Sequence, residues 1–127
     1  MGDEQEKNQV TTPLQAFFRN TSHRFSMSIS GLLALLSFAV IWQSIGSRDA
    51  VIVLHYNVYF GIDILGEWWQ AYFISFTGVG IWAVHVFLAF RFFRLGKLAL
   101  CRMALFSLLF LEGMVLIASI AIGLINY

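Results

Sequence analysis

Three stretches of the chain, Ser28 to Ile45, Gln70 to Phe93 and Met103 to Ile125, are apolar over roughly the 20 residues that carry a helix across a bilayer. This feature constrains the fold more than any other. In lipid every backbone N–H and C=O must be bonded within the chain, which only helices and closed barrels achieve. The runs lack the alternation of barrel strands, and one chain of 127 residues offers far too few of them to close a barrel. The expected fold is an all-α membrane protein: a three-transmembrane-helix bundle at about 28–45, 70–93 and 103–125, with a short extended outer loop at 46–69 and an N-terminal tail at 1–27. A composition 59% hydrophobic and 12% charged agrees, since a soluble domain needs less apolar content for its core.

Eight Lys and Arg against seven Asp and Glu give no net field that would attract nucleic acid. Their distribution is what informs. Arg91, Arg94, Lys97 and Arg102 crowd the turn between the second and third spans, and Lys7, Arg19 and Arg24 precede the first. The loop between the first two spans has only Arg48, offset by Asp49, Asp63 and Glu67. Basic residues near helix ends stay on the cytoplasmic side, so the N-terminus is expected inside, with the long loop and Tyr127 outside a bacterial cytoplasmic membrane. Ser44 and Gly46 have the small-x-small spacing of a signal cleavage site, but the apolar run exceeds a typical signal core and some 25 residues precede it. The single cysteine, Cys101, excludes an intramolecular disulfide or a CxxC motif and is expected to pack as a small apolar residue.

Met1 to Val10 is polar and acidic with nothing to bury, and is expected to be disordered. Thr12 can cap a helix with Pro13 at its first position. The mixture of Leu14, Phe17, Phe18 and Phe25 with Gln15, Arg19, His23 and Arg24 suits a short amphipathic helix in the headgroup region. An unstructured basic flank that only sets topology is the competing reading.

Residues 3, 4, 7 or 11 apart share a helical face, and each span carries a small or polar stripe at that spacing. The stripes are Ser30, Ala34, Ser37 and Ser44; Ala71, Ser75, Gly78, His85 and Ala89; and Cys101, Glu112, Ser119, Gly123 and Asn126. Opposite them stand bulky residues: Phe73, Phe76, Phe87 and Phe90 on the second span, Phe106, Phe110, Val115 and Leu124 on the third. Lipid tails are as apolar as leucine, so helices associate through small residues and buried hydrogen bonds, and the stripes are expected to face one another within the bundle or across a homo-oligomer.

Two polar groups are candidate sites. Glu112 lies well inside the third span, where a carboxylate costs on the order of 3 kcal/mol on insertion scales and is expected to be neutral or partnered. His85, the other ionisable group deep in the bilayer, is its expected partner, as a proton-accepting pair, an ion-binding polar centre or a structural clasp. In the outer loop, Val51 to Phe60 is rich in β-branched and aromatic residues, and an extended segment would put Ile52, Leu54, Tyr56, Val58 and Phe60 on one apolar face against the bundle or headgroups. Such a segment must fold back on Ile62 to Leu65 or accept a partner's strand. The loop also gathers His55, Asn57, Asp63 and Glu67, which could make a metal site only by chance convergence, so no metal and no cofactor are expected. There is no GxSxG, HExxH, P-loop or dinucleotide fingerprint, and an enzyme is not expected.

The sequence His55-Tyr56-Asn57 followed by Gly61, Asp63, Gly66 and Trp68 resembles the HxN...G...D segment after the first helix of the domain of unknown function in SdpI-type immunity proteins. It is similar as well to small membrane proteins of candidate-phylum bacteria with an HYN.YFG.D loop. The likeness covers roughly Asp49 to Gly80. It departs from the pattern at Leu54, where a proline usually precedes the His, and at Gly61, one position later. The resemblance implies a loop architecture and a non-enzymatic immunity or regulatory role through binding another membrane protein. The alternative drawn from the residues themselves is a transport or proton-handling subunit using His85 and Glu112.

Overall fold

A computed structural model describes residues 12–45 and 51–126. The expectations for Met1 to Val10, Gly46, Arg48, Asp49 and Tyr127 lie outside these residues. The order is α1 (Pro13–Arg19), α2 (Thr21–Ser44), β1 (Val51–Asn57), β2 (Gly61–Glu67), a single 3-10 turn (Trp68–Ala71), α3 (Tyr72–Arg94) and α4 (Leu98–Ile125). Three helices are long and apolar enough to cross a membrane, and the protein is a multi-pass membrane protein.

Local signals set the helix boundaries. Thr12 accepts a hydrogen bond from the Gln15 amide while the Gln15 side chain accepts from the Thr12 amide, a capping box, with Pro13 next in line. Asn20 ends α1 and caps α2, its Oδ1 accepting from the amides of Ser22 and His23. The first span therefore begins at Thr21, seven residues before its apolar run, because the cap and not hydropathy fixes where a helix starts. At the far end of α3 the chain reverses through Leu95, Gly96 and Lys97, with Gly96 at φ +71°, a left-handed conformation that glycine adopts without strain. The turn is so short that α4 begins at Leu98, and Arg102 lies within the helix and not ahead of it.

The small stripes do face inward. Ser30, Ala34 and Ser37 of α2, Ser75, Gly78 and Ala89 of α3, and Cys101, Glu112, Ser119 and Gly123 of α4 are buried. Phe73, Phe76, Phe87, Phe106, Phe110 and Leu124 are exposed on the outer surface. Two residues of the expected bulky face behave otherwise. Val115 is buried, close to the position a Gly78 Cβ would take, and Phe90 packs inward on Phe17. Close approach at the glycines explains why the stripes are small. A Cβ on Gly78 would stand 3.1 Å from Glu112 Oε2 and from Val115, and one on Gly123 would stand 2.6 Å from Ser44 Oγ.

The apolar core divides into two plugs. At the end bearing the α3–α4 turn, Phe17, Met27, Ala89, Cys101, Ala104 and Leu105 form one cluster. At the opposite end Ile41, Ile45, Ile52 and Ala71 form the other, backed by Leu54, Tyr72 and Ile122. Between them lie the buried serines and Glu112.

The expected amphipathic helix exists, but it is not simply laid in the headgroups. Phe17 is fully buried, its ring 5.5 Å from Phe90, 5.4 Å from Phe93 and 4.8 Å from His23, while Leu14 and Phe18 remain exposed. His23 is buried too, with Nδ1 3.2 Å from the Phe17 carbonyl and Nε2 3.8 Å from Cys101 Sγ. If Nδ1 carries the proton and donates to that carbonyl, Nε2 is the acceptor that faces the thiol. Cys101 packs as the small buried residue anticipated.

Candidate functional site

Two regions collect the polar residues that the fold does not need for helix formation: the hairpin and the mid-bundle carboxylate.

The loop is an antiparallel hairpin, pairing Val51 with Glu67 through Asn57 with Gly61, with irregular register around Leu54 and Asp63. Its apolar face is divided. Ile52 is buried in the end plug and Leu54 is half-buried, whereas Tyr56, Val58 and Phe60 project into the surroundings. The chain reverses at 58–60, so the segment carries its far half away from the bundle; of the five residues expected against the bundle or headgroups, Ile52 and Leu54 meet the bundle. A side chain at Gly66 would collide with Leu54 and Gln70, which is why the strand opposite Ile52 has none.

Asn126 holds the hairpin. Its Oδ1 accepts from the Val53 amide at 2.7 Å and its Nδ2 donates to the Val53 carbonyl at 2.7 Å and to Ile122 at 2.8 Å. One side-chain amide thus imitates a residue of a third strand. Helical spacing places Asn126 on the inner face but gives no sign of this role, since the partners are 73 positions apart.

The loop polar group is brought together in part. His55 Nδ1 lies 2.7 Å from Asp63 Oδ1 across the hairpin, both side chains open to solvent. Asn57 instead orders the turn, its Oδ1 accepting from the Tyr59 amide at 2.8 Å. Glu67 accepts from the Trp69 indole, and its amide donates to Gln70. Among the described residues no group of three His, Cys, Asp or Glu converges as a metal would need.

Inside the membrane, Glu112 is 0% exposed, and neither carboxyl oxygen has a hydrogen-bond partner among the described residues. The Ser37 and Ser75 hydroxyls are in the same condition. Ser75 lies one turn from Gly78, against which the carboxyl rests. With Ser44 against Gly123 setting the α2–α4 register, Ser37 falls about 6 Å from Glu112 along the axis. Buried polar atoms are nearly always bonded, so this layer has unused capacity for a proton, water or a small cation.

The anticipated His85–Glu112 hydrogen bond does not form. His85 Nδ1 lies 2.9 Å from the Ile81 carbonyl of its own helix, and the ring is half-buried. Glu112 instead rests against Gly78, seven residues and about 10 Å along α3 from His85. The two groups lie at different depths because α4 starts earlier than its apolar run. From the true start of α4 at Leu98, Glu112 is about 21 Å in, whereas His85 is about 14 Å from the end of α3 at Arg94.

A tryptophan adds an unforeseen link: Trp82 Nε1 donates to the Met27 carbonyl at 3.2 Å, and Gly31 leaves room for the indole. It ties α3 to α2 beside an apolar cleft lined by Gly31, Leu32, Leu35 and Val79.

No protein-family model, curated protein or solved structure matches this chain.

Proposed function

We propose that this membrane protein works without catalysis, by presenting its hairpin to another membrane protein, in the manner the likeness to immunity-type proteins implies. One observation carries this reading. Val58, Tyr59 and Phe60 are 84%, 90% and 84% exposed on a hairpin whose base is clamped by Asn126 and buried through Ile52. A held apolar tip supplies contact area at little ordering cost, and the outer edge of β2, which has no neighbouring strand among the described residues, can accept one. The orientation proposed with it is an N-terminus in the cytoplasm and a hairpin outside a bacterial cytoplasmic membrane. It is supported by Arg19, Arg24, Arg91, Arg94, Lys97 and Arg102 at one end and Asp63 and Glu67 at the other.

A photo-crosslinking residue in place of Tyr59 tests the reading in cells. A discrete adduct to a second protein, absent when the same group replaces outward-facing Trp42, is expected. An adduct to lipid only overturns it, and an adduct to another copy of this chain assigns the tip to a homo-oligomer. Reporter fusions in the hairpin and at Tyr127 check the orientation.

A second reading, proton or cation handling, is favoured by the unpartnered Glu112 carboxyl and the unpartnered Ser37 and Ser75 hydroxyls in the same layer. Glu112→Gln keeps the shape and removes titration. Loss of proton or cation flux in proteoliposomes with folding intact supports it, and equal flux in both proteins removes it.

A further inference from the structure

We infer that the cleft between α2 and α4 at the basic end is a binding site for one anionic phospholipid. The cleft has a volume of about 250 Å³ and is lined by Ser22, Ser26, Arg102, Leu105, Phe106 and Leu109, with His23 in its wall. Its polarity is ordered by depth. Ser22 and Ser26 lie in the first two turns of α2, and Arg102 in the second turn of α4. Leu105, Phe106 and Leu109 follow Arg102 by three to seven residues, which puts them about 5 to 10 Å deeper along the helix. A guanidinium and the Ser22 hydroxyl at the mouth, the Ser26 hydroxyl about one turn below and an apolar trough continuing to Leu109 match a phosphate-bearing headgroup joined to an acyl chain. A free phosphate would leave the lower half of the cleft uncovered.

The sign of the ligand follows from its surroundings. Among the described residues the basic end holds Arg19, Arg24, Arg91, Arg94, Lys97 and Arg102, and no carboxylate. Arg102 is exposed and can give a phosphate two parallel hydrogen bonds. The walls are preformed: His23 is buried and held at the Phe17 carbonyl, and Leu105 belongs to the apolar plug. A lipid seated here would bridge α2 and α4.

Native mass spectrometry of the full chain in detergent, titrated with phosphatidylglycerol or phosphatidylcholine, tests the site. Phosphatidylglycerol is expected to bind at least fivefold more tightly. Arg102→Gln should weaken its binding about fivefold, through loss of the paired charge-assisted hydrogen bonds to the phosphate, and the cleft-filling Ser26→Leu should weaken it by a similar factor. Arg102→Lys should retain most of it. Arg94→Gln, the same charge change on α3 outside the cleft, should leave binding within about twofold. Equal losses in Arg94→Gln and Arg102→Gln would mean a diffuse basic field and overturn the site, as would equal binding of the two lipids. Displacement of the lipid by glycerol phosphate at matching concentration would overturn the acyl half of the assignment. All three substituted side chains are exposed or half-buried, and unchanged thermal unfolding of each variant verifies its fold.

Discussion

At the basic end the bundle is closed by the seven residues of α1, which immediately precede the span they cover. At the opposite end it is closed by a hairpin inserted between two spans and held by Asn126, 73 positions from its partner. The first closure takes its shape from neighbours, the capping box and the Asn20 cap, and then packs Phe17 onto Phe90, Phe93 and the cluster that includes Cys101. The second needs α2, the hairpin, α3 and α4 all in place, because Ile52 meets Ile41, Ile45 and Ala71 only then. A small bundle can thus seal its two ends by quite different means. The basic closure depends on packing, whereas the hairpin closure depends on hydrogen bonds to one amide as well.

Removing the packing element should have the largest effect. Phe17→Ala empties a fully buried aromatic position and is expected to destabilise the protein by about 3 kcal/mol, read from unfolding of the purified chain in mixed micelles. Its effect on hydrogen exchange should concentrate in α1 and spare the hairpin. Protection lost equally at both ends would show that the closures are one cooperative unit.

Asn126→Ala is the matching break at the other end. It removes both bonds to Val53, each contributing about 1 kcal/mol, and should raise amide exchange through Val51–Asn57 while leaving α1 unchanged. Asn126→Asp keeps the acceptor for the Val53 amide and loses the donor to its carbonyl, so an intermediate exchange rate is expected. Equal rates in the Ala and Asp variants would assign the clamp to one bond alone.

Thr12→Ala sharpens the local side of the comparison. Losing the capping box should cost about 1 kcal/mol and fray α1 without changing the three spans, visible as increased exchange at Gln15 and Ala16. The smallest effect is expected between the ends. Gly113 has open space where a Cβ would stand, so Gly113→Ala should be neutral or stabilising by up to about 1 kcal/mol. Gly123→Ala drives a methyl against Ser44 and should destabilise in the same assay. Identical results for the two glycines would remove close packing as the reason for the inner stripe.

Several of these features were legible before any coordinates. The three spans follow from transfer energetics acting residue by residue, and α1 from Thr12 and Pro13, a signal contained within four positions. The inward stripes follow from the 3.6-residue period, which Ser30, Ala34 and Ser37 or Ser75 and Gly78 display without reference to a partner. The extended character of Val51 to Asn57 was visible in its β-branched and aromatic content, and the return through Ile62 to Leu65 in the need of a lone strand for a neighbour.

Which atoms meet was decided elsewhere. His85 and Glu112 share the same inner surface, yet the short turn at Gly96 starts α4 at Leu98 and moves the carboxyl to Gly78. The burial of Phe17 and His23 depends on the bend at Asn20, and the union of Asn126 with Val53 on two helix ends arriving at one height. Periodicity and hydropathy are properties of a single segment, so the helices and the faces they turn inward can be read from each segment alone. Register between segments accumulates over every turn and loop that separates them, and only the tertiary structure decided it.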